Sequence, residues 1–301
     1  MSRSNVLLDN QPNCQLCLSK DWRPLWQVRS YDWAACDVCG SWQVMNPPAQ
    51  EFFVDFYGND YYQRTKDTPM RDGAYVDYIG HQNFIQNNLR QRMLWALPFM
   101  GSEQHSWLDV GCAAGFLLDV VRENGFAPYG LDYAPFGPQY AREQLHLPNA
   151  RQGTLDTIPT DFPPQFQVIS FMDVLEHLPN QHEALKRACD LCEPGGYVLG
   201  ETFVPECRLA RTLGPWWHAV DPPNHLLLLG TVGIDQLMTR EGFTLVAESY
   251  QPRRLSVASL VSKFGGLGKQ LASRLNNGGV SAWGVNIQLW DARLWLYRKN
   301  V

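Results

Sequence analysis

Four cysteines near the start of the chain have the spacing of a metal site. Cys14 and Cys17 form one C-x-x-C pair, Cys36 and Cys39 form a second, and eighteen residues separate the pairs. Each C-x-x-C turn presents two thiolates toward one point, and two such turns complete a tetrahedron around Zn²⁺. Because few apolar residues lie between the pairs, the metal is expected to supply folding energy. Four cysteine ligands leave no coordination position open, so we predict a structural, non-catalytic zinc site.

A glycine-rich turn, WLDVGCAAGF at residues 107–116, is the second feature that could do chemistry. Gly111 and Gly115 are spaced as G-x-x-x-G, and Asp109 precedes the first glycine by two residues. Glycines after a strand let a ligand approach the backbone, because no side chain blocks it. The spacing differs from the G-x-G-x-x-G fingerprint of dinucleotide-binding proteins. Asp132 ends the next predicted strand, where a carboxylate can accept hydrogen bonds from two ribose hydroxyls.

Alternating strand and helix patterns must position these residues. The alternation predicts a parallel sheet with helices on both faces. Helix N-caps are predicted at Asn180 and Thr231. Strands are predicted at SWLDVG (106–111), APYGLD (127–132), FQVISFMDV (166–174), GYVLGETFV (196–204), FTLVAESY (243–250) and ARLWLYRK (292–299). Helices are predicted at GFLLDVVRENG (115–125), PFGPQYAREQL (135–145), NQHEALKRACDLCEPGG (180–196, with Pro-Gly-Gly as the break) and TVGIDQLMTREGF (231–243).

Composition narrows the classes of protein to consider. The chain has 301 residues, of which 45% are hydrophobic, enough for one large domain with a small attachment. Its formal net charge of −5 argues against a nucleic-acid or anionic-membrane surface. The sequence has neither a transmembrane run nor a secretory signal, so we expect a cytoplasmic protein with reduced or metal-bound cysteines.

Five motifs in order resemble those of the class I S-adenosylmethionine-dependent methyltransferases. The resemblance implies an α/β fold with a Rossmann-like seven-stranded sheet, in which ARLWLYRK is the antiparallel last strand. The Glu-His dipeptide at 176 and 177 resembles the small-molecule branch of these enzymes. The motifs are the glycine turn at 109–115, YGLDYAP at 129–135, GTLDTIP at 153–159, FQVISFMDVLEHLPN at 166–180 and CEPGGYVLGETF at 192–203.

The resemblance also implies a binding site for S-adenosylmethionine. The turn from 111 to 115 would approach the methionine part, and Asp109 would orient the turn or the methionine amino group. Asp132 would hold the ribose, with Tyr133 and Leu155 beside the adenine. The cofactor-binding residues implied in this way are Asp109, Gly111, Cys112, Ala113, Gly115, Asp132, Tyr133, Thr154, Leu155, Met172 and Asp173.

The order of the predicted domains indicates a smaller group within these methyltransferases. A zinc module, a tyrosine-rich segment (FYGNDYYQRTKD, 56–67) and the core resemble methyltransferases of sugar and natural-product pathways, including C-methyltransferases of nucleotide-linked keto-deoxysugars. Those C-methyltransferases carry a further C-terminal domain, whereas this chain ends with the last core strand, so their substrate and base are not transferred. The predicted organisation is a zinc module at 1–50, a helical tyrosine-rich cap at 51–105, and a methyltransferase domain at 106–301 with insertions at 205–225 and 252–283.

Three side chains are candidates for a catalytic or substrate-orienting role. His225 is the first, because DPPNH resembles an element found before the sixth strand of this branch, and His177 and Tyr62 are the alternatives. The insertion at 205–225 has the aromatic and titratable residues of a substrate lid, although its tryptophans could equally fill the edge of the core. The insertion at 252–283 has near-helical apolar spacing, which favours a pair of helices over the pocket or a dimer contact over a membrane-surface helix.

Three hypotheses about function follow from the sequence. The first is methyl transfer to a small-molecule acceptor, such as a sugar, nucleotide sugar or secondary metabolite. The second is an RNA methyltransferase with a zinc ribbon, which the acidic charge balance disfavours. The third is a non-catalytic homologue that binds the cofactor, against which stand the intact glycines and Asp132. The nucleophile of the acceptor is left open.

Overall fold

The N-terminal part of the molecule combines a small antiparallel sheet with two helices. The computed structural model describes residues 12–58, 62, 78–101, 105–257 and 284–301. The two C-x-x-C turns precede the first strand and follow the second. The elements are β1 (Trp22–Val28), β2 (Tyr31–Cys36), β3 (Trp42–Val44), α1 (Gln50–Phe56) and α2 (Gln82–Ala96).

Strands and helices then alternate, as the sequence pattern predicts. All five residues of the first strand in this series are buried, and the helix after it buries one apolar face. The alternation places the polar turn residues at the carboxyl ends of the strands. The elements are β4 (Ser106–Val110), α3 (Phe116–Glu123), β5 (Ala127–Asp132), α4 (Phe136–Gln144), β6 (Ala150–Gln152), β7 (Phe166–Met172), α5 (Gln181–Leu191) and β8 (Cys192–Phe203).

The C-terminal part adds two strands to the same sheet and three strands elsewhere. None of the helices in the described part of the chain is long and apolar enough to span a membrane. The elements are α6 (Arg208–Leu213), β9 (Leu227–Leu228), α7 (Thr231–Arg240), β10 (Phe243–Ser249), β11 (Arg253–Ser256), β12 (Gly284–Ile287) and β13 (Ala292–Lys299).

The central sheet has seven strands in the order β10-β13-β8-β7-β4-β5-β6. Strand β13 is antiparallel to both β8 and β10, and the pairs from β8 through β6 are parallel. The predicted Rossmann-like seven-stranded fold with an antiparallel last strand is therefore confirmed. In such a sheet, loops at the carboxyl ends of the parallel strands form the ligand-binding edge.

The N-terminal sheet is joined to the rest of the molecule. Its strand order is β1-β2-β3-β9, so β9, which lies about 180 residues further along the chain, completes it. Residues of both C-x-x-C turns also pack against α7, since a Cβ atom on Gly233 would lie 2.9 Å from Leu16 and 3.1 Å from the Cys39 sulfur. The buried cysteines Cys14, Cys36 and Cys39 belong to the same core cluster as strands of the central sheet.

Two local predictions require correction. Helix α7 begins at Thr231 with Gly230 as its N-cap, and the Glu206 carboxylate accepts the Thr231 N–H at 2.8 Å in the capping role. Asn180 is the N-cap residue of α5 as predicted, although its side chain makes no capping hydrogen bond. The Pro-Gly-Gly segment lies within β8, where the β7–β8 register shifts between Phe166 and Val168, so it forms an irregularity of the strand and not a break before it.

The helical pattern predicted after residue 252 is also wrong at its start. Residues Arg253–Ser256 form β11, which pairs with β12 in an antiparallel ladder. The apolar spacing from Leu255 onward fits a helix locally, but backbone pairing with a distant segment overrides it. The remainder of this predicted insertion, 258–283, lies outside the described residues.

Candidate active site

The glycine turn after β4 is held in a left-handed conformation that favours glycine. Gly111 has φ of 74° and Gly115 has φ of 78°. A Cβ atom on Gly111 would lie 2.5 Å from the Val174 side chain, and one on Gly115 would lie 2.7 Å from Ala141. The packing of neighbouring side chains therefore requires glycine at both positions, whether or not a ligand also needs the space.

Asp132 connects the end of β5 to this turn. Its carboxylate accepts hydrogen bonds from the Ala113 N–H and the Ala134 N–H, both at 2.8 Å, and the Tyr62 hydroxyl lies 3.4 Å away. The residue is 6% exposed, and burial raises the pKa of its carboxyl to about 6. The carboxylate therefore fixes the backbone of the turn while its remaining lone pairs stay available to a ligand.

Asp109, at the other side of the turn, is also buried. Its carboxylate accepts a hydrogen bond from the Ser170 hydroxyl at 2.6 Å, and that hydroxyl accepts one from the Trp107 indole at 2.8 Å. Burial raises the pKa of the Asp109 carboxyl to about 7, and the nearby Asp132 charge adds to the effect. The two carboxyls place negative potential at the carboxyl edge of the sheet, where a cationic sulfonium or ammonium group would be stabilised.

A cavity of about 200 Å³ opens beside the turn. Tyr78, Phe116 and Leu117 supply apolar surface to it. Such a mixture of apolar walls and a few converging polar groups is typical of small-molecule sites. Six of the predicted cofactor residues line this cavity, namely Asp109, Gly111, Cys112, Ala113, Met172 and Asp173.

The other predicted cofactor residues lie outside the lining of this cavity. Gly115 packs on Ala141, and Asp132 contacts the cavity-lining Ala113 through its carboxylate. Tyr133 is 41% exposed, and its ring lies 6.4 Å from that of Tyr57. Thr154 bonds with Thr157 in a turn, and Leu155 is 5% exposed in the core. These residues form the flank of the site toward β5 and β6.

Four charged residues line the same cavity, and only Asp173 among them is predicted from the sequence as a site residue. Arg92 donates to both carboxylate oxygens of Glu201 at 3.0 Å, and both side chains are almost fully buried. Arg253 lies 2.6 Å from Asp173 and 3.8 Å from Glu201, with its guanidinium 5.1 Å from the Phe203 ring centre. The signal available in the sequence was Glu201, a charged residue that follows the apolar run at 197–199 of β8.

The predicted catalytic histidines lie together, next to Glu176. Their ring centroids are 4.7 Å apart. His177 Nδ1 lies 2.8 Å from the Asn224 carbonyl oxygen, and His225 Nδ1 lies 2.8 Å from the Ala219 carbonyl oxygen. Burial lowers the pKa of both imidazoles, and for His225 burial, together with the neighbouring His177, lowers it to about 3. Neither histidine is among the residues that line the 200 Å³ cavity.

Glu176 completes this group. Its side chain has no exposed surface, and Oε2 accepts a hydrogen bond from the Thr202 hydroxyl at 3.1 Å. Burial raises the pKa of its carboxyl to about 8. The third predicted catalytic residue, Tyr62, lies elsewhere, with its ring 5.1 Å from that of Tyr78 in the cavity wall. Tyr62 thus lies beside Asp132 and the cavity wall.

The four predicted metal-binding cysteines come together in one cluster. The Cys14 and Cys39 sulfurs are 3.5 Å apart, those of Cys17 and Cys36 are 3.4 Å apart, and all four lie within 4.8 Å of one another. Tetrahedral coordination at about 2.3 Å places sulfurs about 3.8 Å apart, so the donor set fits zinc. The hydrogen bond shared by Cys14 and Cys39 lowers the pKa of Cys39 and raises that of Cys14, so without a metal the pair favours one thiolate and one thiol.

The tryptophans of the 205–225 insertion have different surroundings. Trp217 is 1% exposed and makes edge contacts with Trp42 and Phe203 at 6.1 Å. Trp216, by contrast, is 84% exposed. The insertion is also tied to the β1–β2 turn, because Arg29 lies 2.7 Å from Asp221. One tryptophan therefore fills the core, and the other is available at the surface.

Comparison with known proteins agrees with this geometry. Residues 81–248, more than half of the chain, match Methyltransf_23, a family described as a methyltransferase domain. With its seven-stranded sheet and glycine turn, the chain belongs to this family of class I methyltransferases. The predicted resemblance is confirmed at this level.

Individual relatives match only part of the chain or only its fold. A ubiquinone biosynthesis O-methyltransferase of Nitrosospira multiformis is 30% identical over 102 residues, or 32% of this chain and 42% of that protein. A chain from the complex between the Haloferax volcanii Trm112 methyltransferase activator and a methyltransferase superposes with a TM-score of 0.53 at 14% identity, covering 74% and 95% of the two chains. Magnesium protoporphyrin IX methyltransferase of Synechocystis, solved with bound SAH, superposes with a TM-score of 0.50 at 14% identity, covering 84% and 100%.

Proposed function

We propose that this protein transfers the methyl group of S-adenosylmethionine to a small-molecule acceptor. The observation that carries the proposal is the cavity at the carboxyl edge of the sheet, bounded by the glycine turn that the buried Asp132 carboxylate holds in place. Membership of the methyltransferase-domain family supports the same activity. Because the chain spans 42% of the length of its curated relative, the acceptor of that relative is not carried over as a finding.

The cofactor residues have distinct proposed roles. The turn from Gly111 to Gly115 would face the methionine part, and Asp109 would bind its ammonium group or orient the turn. Asp132 would accept hydrogen bonds from the ribose hydroxyls, and Tyr133, Thr154 and Leu155 would border the adenine. Met172 and Asp173 would line the reacting end of the cofactor, next to the acceptor. When bound, the cofactor supplies an electrophilic methyl group, and the protein aligns the nucleophile with it in a site that excludes water.

The acceptor that we propose is a hydroxylated metabolite without strongly anionic groups, such as a sugar. Asp173, Glu201 and the arginines Arg92 and Arg253 line the acceptor side of the cavity and offer both donors and acceptors to hydroxyl groups. The relative with 30% identity is an O-methyltransferase by name, which supports an oxygen nucleophile. Two of the four charged side chains neutralise the other two, so the site favours a polar over a strongly anionic acceptor.

An oxygen nucleophile must lose a proton, and the proposed activating group is the histidine pair. His225 and His177 lie next to Glu176, three residues after the cavity-lining Asp173. His177 is the favoured base, because its side chain is less deeply buried than that of His225, whose pKa of about 3 makes its imidazole a weak base. Tyr62 is the remaining candidate, on the ribose side of the site.

The N-terminal cysteine cluster is proposed to hold a structural zinc ion. The proposed organisation is this module at 1–50, a cap at 51–105 and the methyltransferase domain at 106–301, with the 205–225 segment covering part of the acceptor side. A closed set of four thiolates provides no coordination position for a substrate. The metal would therefore stabilise the fold and take no part in methyl transfer.

Labelled cofactor provides the test of this function. The purified protein would be incubated with methyl-labelled S-adenosylmethionine and with metabolite extracts fractionated by charge, and products would be identified by mass. We expect label in a neutral or weakly charged small molecule, dependent on active protein. Label in RNA would favour the alternative RNA methyltransferase, and cofactor binding without any transfer would favour a non-catalytic homologue.

A further inference from the structure

We propose that Glu176, His177 and His225 form a second metal site, one that holds a divalent first-row cation beside the methyl-transfer cavity. The inference deepens the proposed function and rests on it, because it names how the acceptor hydroxyl would be activated. Three features of the structure support it, namely the distances, the orientation of the imidazoles and an unpartnered oxygen, and the small number of protein ligands suggests what the ion would do.

The distances already suit a shared ion. One potential ligand atom from each of the three residues lies within 4.8 Å of the other two. Ligand bonds of about 2.0–2.2 Å to imidazole nitrogen and carboxylate oxygen bring such atoms to within about 4.4 Å of one another around one ion. The three side chains come from two loops at the carboxyl edge of the sheet, one after β7 and one before β9.

The imidazoles are oriented as metal-bound histidines usually are. Each Nδ1 faces a backbone carbonyl oxygen at 2.8 Å, that of Asn224 for His177 and that of Ala219 for His225. A carbonyl oxygen only accepts, so Nδ1 carries the proton in each ring and Nε2 keeps its lone pair. A hydrogen bond from one ring nitrogen to a backbone carbonyl is the typical second contact of a histidine whose other nitrogen binds a metal.

Glu176 provides an oxygen that the protein leaves without a partner. Oε2 is bonded to Thr202, whereas Oε1 is buried and has no hydrogen-bond partner among the described residues. A buried, unpaired carboxylate oxygen is costly unless an ion or another donor satisfies it. A cation between this oxygen and the two imidazoles would provide that interaction.

The cluster has fewer protein ligands than a divalent ion accepts. Two imidazoles and one carboxylate leave at least one coordination position for water or substrate, as in catalytic metal sites. Asp173, three residues before Glu176, lines the methyl-transfer cavity and pairs there with Arg253. The Phe203 ring lies between the two sites, 5.7 Å from the His225 ring and 5.1 Å from the guanidinium of the cavity-lining Arg253, so the cation would lie beside the cavity.

A cation in this position changes the part played by the histidines. An acceptor hydroxyl that coordinates the ion has a lowered pKa and releases its proton to solvent. The oxygen then attacks the methyl carbon as the carbon–sulfur bond breaks, and sulfur keeps that electron pair. The products are the methyl ether, S-adenosylhomocysteine and one proton. In this scheme His177 and His225 are ligands and neither acts as the base.

Mn²⁺ binding followed by electron paramagnetic resonance gives a test that needs no acceptor. The full chain, desalted into metal-free buffer without a chelator and verified to retain its zinc, would be titrated with Mn²⁺ in the presence of S-adenosylhomocysteine, and the signal of free Mn²⁺ would be recorded. We expect about one Mn²⁺ to bind per chain through these oxygen and nitrogen ligands. The thiolates of the cysteine cluster prefer softer ions and are not expected to compete for Mn²⁺.

Near-isosteric variants test whether Glu176 and His177 bind the Mn²⁺ ion. Glu176→Gln and His177→Asn should each weaken Mn²⁺ binding at least about tenfold, since even the loss of an outer-shell partner costs 10- to 100-fold. His182→Ala on α5 is the matched control, because it removes a nearby histidine outside the cluster and should leave Mn²⁺ affinity unchanged. Circular dichroism and S-adenosylhomocysteine affinity would verify that each variant folds.

The outcomes separate this inference from the proposed function. The second metal site is wrong if the wild-type chain binds S-adenosylhomocysteine but not Mn²⁺. It is also wrong if both cluster variants bind Mn²⁺ as tightly as the wild type does. In either case the proposal of a histidine base is retained. If S-adenosylhomocysteine does not bind either, the methyltransferase function itself is refuted. Loss of Mn²⁺ binding in both variants, with cofactor affinity retained, supports the metal site.

Discussion

The four-cysteine cluster and the Glu176–His177–His225 cluster each bring potential metal ligands close together. They differ in the type of ligand, in the number of ligands and in their surroundings. Four thiolates from two local turns form the first, and it lies among core residues of the N-terminal sheet and α7. A carboxylate and two imidazoles from loops about 50 residues apart form the second, and Phe203 lies between it and the cavity-lining Arg253. The first offers a full set of four ligands, whereas the second offers three.

Under the proposed assignments, the first cluster stabilises the fold and the second takes part in the chemistry. A closed thiolate site contributes its binding free energy to folding. An open site contributes little to folding and changes the reactivity of whatever enters it. Substitutions in the cysteine cluster should therefore lower the stability of the protein. Substitutions in the second cluster should lower ligand binding or turnover.

The largest effect is expected from Cys36→Ser. Zinc-finger peptides gain about 10–16 kcal/mol from zinc, so loss of one ligand should cost about 5 kcal/mol or more of stability here. Metal analysis and urea denaturation would measure zinc content and stability. Cys189→Ser is the matched control, since it replaces a buried cysteine outside the cluster. Absence of zinc in the wild-type protein, or equal stability of the two variants, would contradict a structural role for the cysteine cluster.

Arg92→Met tests whether the cavity region also contributes to stability. The substitution leaves Glu201 buried without its bidentate partner, at a cost of about 3 kcal/mol, the lower end for a broken buried pair because Arg253 remains 3.8 Å away. Chemical denaturation would measure the loss, and Arg90→Met removes an exposed arginine of the same helix as a control. A loss as large as that of Cys36→Ser would mean that the cavity supports the fold as strongly as the cysteine cluster does.

Cofactor affinity should weaken as pH falls through about 6. Burial raises the pKa of Asp132 to about 6, and the ionised carboxylate is the form that accepts hydrogen bonds from a ribose. At pH 5 most of the carboxyl is protonated, so affinity for S-adenosylhomocysteine should be about tenfold lower than its value well above pH 6. Calorimetry at several pH values would measure this change. Asp132→Asn should bind S-adenosylhomocysteine weakly, and its affinity should depend less on pH. If the affinity of that variant depends on pH as steeply as that of the wild type, another group, such as Asp109, is the one that titrates.

The smallest effect on stability is expected from Trp216→Ala. Trp216 is 84% exposed, so the substitution should change the free energy of unfolding by about 0.5 kcal/mol or less. Trp217→Ala, which removes a 1% exposed side chain, should cost about 3–5 kcal/mol and serves as the contrast. If Trp216 covers the acceptor, the KM for the acceptor should rise while cofactor affinity is unchanged. Unchanged acceptor kinetics would show that the segment is not a lid.

The sequence predicts local features of this molecule better than distant contacts. Residues 106–132 form their strand, turn and helix as expected, because apolar periodicity and glycine placement are properties of neighbouring residues. The addition of β9 to the N-terminal sheet and the capping of α7 by Glu206 are contacts between distant segments, which no local pattern indicates. The Arg92–Glu201 pair was missed for the same reason, since the two residues are 109 positions apart.

The central claim is that the glycine turn and Asp132 bind the adenosyl cofactor, and one calorimetric comparison tests it most directly. S-adenosylhomocysteine would be titrated into the wild type, into Asp132→Ala and into Asp161→Ala, an exposed aspartate that serves as control. Lost charge-assisted hydrogen bonds worth about 1.5–3 kcal/mol should weaken binding by Asp132→Ala about 10- to 100-fold, with no change for Asp161→Ala. Equal affinity of folded Asp132→Ala and wild type, or no binding by the wild type, would contradict the account.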